Sequence, residues 1–103
     1  MIKQLLILSS LAVAATTALA APEDAMNKAG CMACHAKDKK ILGPAFKDVA
    51  AKYKGDKDAV TKLTEKVRKG GSGVWGPIPM PANGPEKIND ADLKAAVEWV
   101  LKS

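Results

Sequence analysis

Residues 31–35 read Cys-Met-Ala-Cys-His, and this CMACH stretch holds both cysteines and the single histidine of the 103-residue chain. Four chemistries compete for such a cluster. A structural zinc site takes four protein ligands, and Cys31, Cys34 and His35 offer three. A thioredoxin-like dithiol sits beside a βαβ pattern, and no alternating apolar run in the chain signals a strand. Two unmodified structural cysteines are the plainest reading. The fourth is a c-type haem attachment site, for which C-x-x-C-H is the spacing. The two thiols can add to the two vinyl groups of one haem. His35 then reaches the iron through Nε2, its Nδ1–H turned toward a carbonyl acceptor.

Chain size bears on this choice. Lys3, an apolar run over residues 5–15 broken by two serines, and Ala18-Leu19-Ala20 together read as a secretory signal peptide over residues 1–20. A retained N-terminal anchor is the other reading, although the apolar run is shorter than the about 20 residues a membrane span needs. What remains, residues 21–103, makes one small domain, and so short a chain is marginal on its own apolar core. A disulfide between Cys31 and Cys34 would close too small a loop to help. A large apolar cofactor fixed at two points would supply the missing core.

The apolar periods are helical throughout, so the expected fold class is all-α, about four short helices wrapped around one covalently bound haem. Pro22, with Glu23 and Asp24 behind it, suits the start of a first helix reaching about Cys31. Phe46, Val49, Ala50 and Tyr53 repeat at i, i+3, i+4 and i+7, with Gly55 as a stop. Val60, Leu63 and Val67 form a third stripe, introduced by Asp56 or Asp58 as a cap and ended by Gly70-Gly71. The last helix is capped by Asn89 and carries Leu93, Ala96, Val97, Val100 and Leu101 along one face. Residues 35–44 and 70–88 show no helical pattern, and the second stretch is long for a structureless loop in a small domain.

Within that long stretch, residues 76–83 read GPIPMPAN and set Met80 between Pro79 and Pro81. Each proline locks its own φ and pushes the preceding residue toward extended backbone. A methionine held this way suits the second axial position of an iron whose first ligand is His35. No second histidine exists, Met32 lies inside the attachment motif, and Met26 lies in the helix leading into it. The plainer reading of Met80 is a loop methionine that covers the haem edge without bonding iron. His/Met ligation raises the reduction potential, and an iron closed on both faces has no open position for substrate.

The segments CMACH, GPAFKDVAAKY, GVWGPIPMPAN and the C-terminal AVEWVLKS resemble the small bacterial monohaem class I cytochromes c of the c-551/c-552 type, over almost all of residues 21–103. The resemblance implies Cys31 and Cys34 as thioether attachments of one haem c, and His35 and Met80 as axial iron ligands. It further implies that Pro44 gives its carbonyl to His35 Nδ1, that Trp75 hydrogen-bonds a haem propionate, and that Asn83 sits near the Met80 sulfur. Each of these three also has a plain reading: Pro44 starting a helix, Trp75 as a core aromatic, Asn83 as a turn residue. Trp99 is read as packing between the terminal helices. Two departures stand out, Ala82 where the family often has a second proline, and a longer connection, GPEKIND, before the last helix.

What the resemblance implies is a soluble periplasmic one-electron carrier, monomeric and not an enzyme, that serves respiratory redox proteins. Those partners would dock at the haem edge on Met32, Val74, Pro77 and Ile78, with Lys28, Lys37 and Lys69 outside them. The formal charge of +5 comes from lysines scattered among acids with few aromatics, a poor pattern for nucleic acid. No stable membrane insertion is expected. The rival classes are a haem enzyme or gas-binding sensor with a displaceable methionine, and a colourless dithiol oxidoreductase.

Overall fold

The computed structural model describes residues 21–103; the signal-peptide reading of residues 1–20 lies outside the described residues. Four helices carry the fold: α1 (Pro22–Ala29), α2 (Phe46–Lys52), α3 (Ala59–Lys69) and α4 (Asp90–Leu101). A single 3-10 turn covers Cys31–Ala33. The four-helix expectation holds, with boundaries set by local chemistry.

Helix α1 begins on Pro22, with Glu23 and Asp24 in the first turn, where the exposed backbone N–H groups favour negative charge. It stops two residues short of the expected Cys31 because Gly30 turns left-handed at φ +87°. That early stop frees the CMACH segment to form its own tight turn. At the other end of the chain, Asn89 caps α4 by accepting the Asp92 backbone N–H at 2.8 Å. Helix α3 starts at one of the two expected caps, without the side-chain bond expected of it. Asp58 occupies the cap position without a side-chain cap bond, while Asp56 Oδ1 accepts the Asp58 N–H at 2.8 Å.

Helix α4 packs against each of the other three helices. Its Leu93, Ala96 and Val97 meet Met26 of α1, Phe46 of α2 and Ile88 in one buried cluster. Trp99, expected between the terminal helices, lies edge-on against Phe46 at 5.6 Å between ring centroids and so joins α4 to α2. Val60, Leu63 and Val67 are half-buried beside this cluster.

One element departs from the expectation. Residues Gly71–Gly73 (β1) and Gly76–Met80 (β2) pair as a short antiparallel hairpin, with Val74 and Trp75 at its tip. Gly71, Gly73 and Gly76 all have φ above +100°, and the pairing shifts register between Gly71↔Met80 and Gly73↔Gly76. An apolar/polar alternation is absent because glycine torsions shape the hairpin. Pro77 and Pro79 are tolerated because β2 has a neighbour on one side only.

Candidate haem site

Helices α2, α3 and α4, the CMACH turn and the hairpin surround one apolar cleft. Cys31, Cys34, His35, Pro44, Trp75 and Met80 all line it. The Val49, Leu63 and Val67 side chains form part of its wall, so the stripe of α3 faces the cleft as well as the neighbouring helices. Four of the large apolar residues that stand exposed, Leu42, Val74, Trp75 and Ile78, also line it. Apolar side chains gathered this way suit a large flat hydrophobic group.

The histidine is held from three sides. Its Nδ1 lies 2.8 Å from the Pro44 carbonyl oxygen, a bond that sets Nδ1 as the protonated nitrogen and leaves Nε2 with its lone pair free. Its ring stacks on Phe46, with centroids 5.1 Å apart and planes 21° from parallel. Behind it stands Gly43, where a Cβ would come within 2.5 Å of Cε1. Pro44 itself precedes Ala45, the cap of α2, and so stands outside the helix.

Cys31 opens the 3-10 turn beside the histidine and Cys34 stands at its C-terminal cap. Burial pushes the Cys31 thiol above its ordinary value, with Cys34 adding to the rise and the local backbone N–H partly opposing it. Among the described residues, no cluster of three or more His, Cys, Asp or Glu side chains is disposed to hold a metal ion by itself.

Met80 ends β2 and is half-buried. Gly70, the residue after α3, has φ +67°, and a Cβ there would strike the Met80 carbonyl oxygen and stand 2.8 Å from Ala82 N and Pro81 C. Asn83 is 6% exposed and does not line the cleft. Its Nδ2 donates to the Pro81 carbonyl at 3.0 Å and its backbone N–H to Val67 O at 2.9 Å. Trp75 stands at the hairpin tip on the cleft lining, and Lys52 Nζ lies 5.6 Å from its ring centroid.

The sequence model of the family described as "Cytochrome c" matches residues 20–103. The chain belongs to the cytochrome c family. Among relatives, this cytochrome is 51% identical over 81 residues to cytochrome c-552 of Hydrogenobacter thermophilus, covering 79% of this chain and 80% of that one. It is 46% identical over 80 residues to cytochrome c-551 of Pseudomonas aeruginosa, covering 78% and 74%. The crystal structure of wild-type Nitrosomonas europaea cytochrome c552 superposes with a TM-score of 0.71 at 49% identity, covering 78% of this chain and 96% of that one. This cytochrome is therefore a small electron carrier of the c-551/c-552 type, with haem c attached through Cys31 and Cys34. The residues fit that group: two thiols on one turn, a histidine with Nε2 free, and apolar walls.

Several contributors to the cytochrome's site lay outside the sequence reading. Gly43 and Phe46 shape the place of His35, and Gly70 backs the Met80 peptide. Adjacency in GPAF hints at Phe46, whereas the close approaches of Gly43 and Gly70 have no local signal. Leu42, which lines the cleft, is 54% exposed, while Met32, expected in the docking patch, is half-buried against the core. Of the expected lysine rim, Lys69 is paired with Glu65 at 3.2 Å.

Proposed function

We propose that this cytochrome is an exported, periplasmic one-electron carrier between respiratory redox partners, its iron held by His35 and Met80. In this reading residues 1–20 are a cleaved signal peptide and residues 21–103 form the single mature domain. The observation that carries it is the gathering of Cys31, Cys34, His35 and Met80 on one apolar cleft, with His35 Nδ1 already engaged by Pro44. The haem supplies a one-electron iron couple. The chain's own residues do the rest.

His35 binds through Nε2, and the Pro44 carbonyl fixes the imidazole's tautomer and aim. Met80 brings a thioether, a weak base that favours the reduced state relative to more basic ligands. Val49, Leu63, Val67 and Ile78 keep water from the cleft. Trp75 offers its indole N–H at the cleft edge for a propionate, and Asn83 steadies the backbone next to Met80 through Pro81. Val74, Pro77 and Ile78, exposed at the mouth, form the apolar patch where a partner meets the monomer. Small patches of this kind suit brief redox encounters. No described helix is long and apolar enough to cross a membrane.

Carbon monoxide tests this reading directly. With Met80 bound, the reduced protein at neutral pH leaves carbon monoxide unbound over minutes. Rapid, tight binding would instead mark a displaceable methionine and a ligand-binding or enzymatic role.

A further inference from the structure

Between Met80 and α4 the chain runs through residues 81–89 without helix or strand. A loop of this kind has few ladder bonds to hold it. One backbone bond ties it to α3, from Asn83 N–H to Val67 O at 2.9 Å. Ile88 anchors it in the buried core, and its other polar ties to α3 come from one side chain. Arg68 Nη1 donates to the Asn83 carbonyl at 3.2 Å and to the Ile88 carbonyl at 2.7 Å, while Nη2 donates to Asp90 Oδ1 at 2.6 Å.

These carbonyls flank the turn closed by Lys87 N–H and Ile88 N–H on Gly84 O. Asn83 and Ile88 are both buried, so their backbone groups need partners within the protein. A charged donor makes the stronger kind of hydrogen bond, and the planar guanidinium can serve several acceptors at once. The Asn83 side chain then passes the restraint on, since its Nδ2 holds the carbonyl of Pro81, the residue next to Met80. Arg68, Asn83 and Pro81 thus form one contiguous set of contacts from α3 to the Met80 peptide.

We propose that Arg68 is a positioning residue for Met80, gripping both ends of the 83–88 turn so that the methionine sulfur stays at the iron. This rests on the His35/Met80 ligation proposed above. The Asp90 contact is secondary, because that carboxylate is 93% exposed and surface pairs contribute little. A lysine, with a single compact ammonium, cannot reproduce the fork.

The test uses the haem-loaded protein and three variants, Arg68→Ala, Arg68→Lys and Asp90→Asn. Imidazole binding to the ferric form measures how easily Met80 gives way, and denaturant unfolding measures global stability separately. Arg68→Ala is expected to bind imidazole about tenfold more tightly, Arg68→Lys at least about threefold more tightly, and Asp90→Asn within about twofold of wild type. Should Arg68→Ala fail to mature, Arg68→Lys carries the same test. Imidazole affinities within twofold of wild type for the Arg68 variants, whatever their stability, overturn the proposal and leave Arg68 a structural residue. An Asp90→Asn effect equal to that of Arg68→Ala also overturns it, since the ion pair would then be the active element. A wild-type ferric spectrum lacking the iron–methionine band overturns the ligation itself and this inference with it; a normal band with unmoved variants overturns this inference alone.

Discussion

Gly43 lies directly behind the His35 imidazole, so close that a Cβ on residue 43 would stand 2.5 Å from Cε1 and 2.8 Å from Nδ1. The need at this position is for space. A methyl group there must push the ring from its contact with Pro44 or displace the 41–44 loop. Overpacking of this kind costs about 1–3 kcal/mol. Gly43→Ala is therefore expected to lower the unfolding free energy of the haem-loaded protein by that amount and to shift the His35 Nδ1 proton resonance.

Gly70 faces a double demand, a left-handed φ of +67° and the Met80 carbonyl against its α-carbon. Gly55, at φ +80°, has nothing within 4 Å of the corresponding Cβ position. Alanine at 55 should cost only the left-handed penalty of about 1–2 kcal/mol. Alanine at 70 should cost more, and it alone should alter the iron–methionine absorption. Denaturant titration and the ferric spectrum of the two variants check the order; equal effects would mean that the contact with the Met80 peptide is unimportant.

At the start of α3, Asp56 Oδ2 meets Lys62 Nζ at 2.7 Å while Oδ1 accepts the Asp58 N–H. The Lys62 hydrogen bond, with the backbone bond second, holds the Asp56 carboxyl below its ordinary 3.8. A depressed folded-state value contributes stability above pH 3.8 that is lost as pH falls through the folded value. Lys62 is raised above 10.5, chiefly by the same Asp56 bond, so its share is present below pH 10.5 and lost on further alkalinisation. The pair is at the surface and its effect is small. Asp56→Asn should remove the acid-side part of the pH dependence of α3, read as the local hydrogen exchange of Lys62 and its neighbours.

The lysine surface bears on association. Charge on the rim of an apolar docking patch sets the encounter rate, and salt screens it. Electron transfer to an acidic redox partner should slow as ionic strength rises from about 0.01 M to about 0.5 M. A rate that is flat over that range would leave Lys28 and Lys37 as solvated surface, alongside Lys69, which Glu65 already engages.

The helices were legible because their signals are local. Pro22 with its acidic first turn, the Phe46-Val49 spacing and the Asn89 cap each act within a turn or two of the chain, and each is where the pattern predicts. The attachment motif was legible for the same reason. The hairpin at 71–80 was not, because glycine torsions and a one-sided partner shape it while two prolines mask any strand pattern. Arg68 is invisible at sequence level, since its partners lie 15 to 22 residues away and two of them are backbone carbonyls. Met80 was singled out by its flanking prolines. The glycine that backs its peptide shows itself only once α3 and the hairpin are folded together.

The central claim is that Met80 closes the iron opposite His35. The most direct measurement is the ferric absorption spectrum of the exported protein beside its Met80→Ala variant. The account predicts a weak long-wavelength iron–sulfur charge-transfer band in the wild type, lost in Met80→Ala together with a gain of carbon monoxide binding on reduction. A wild type without the band, or a variant that keeps it, would contradict the account.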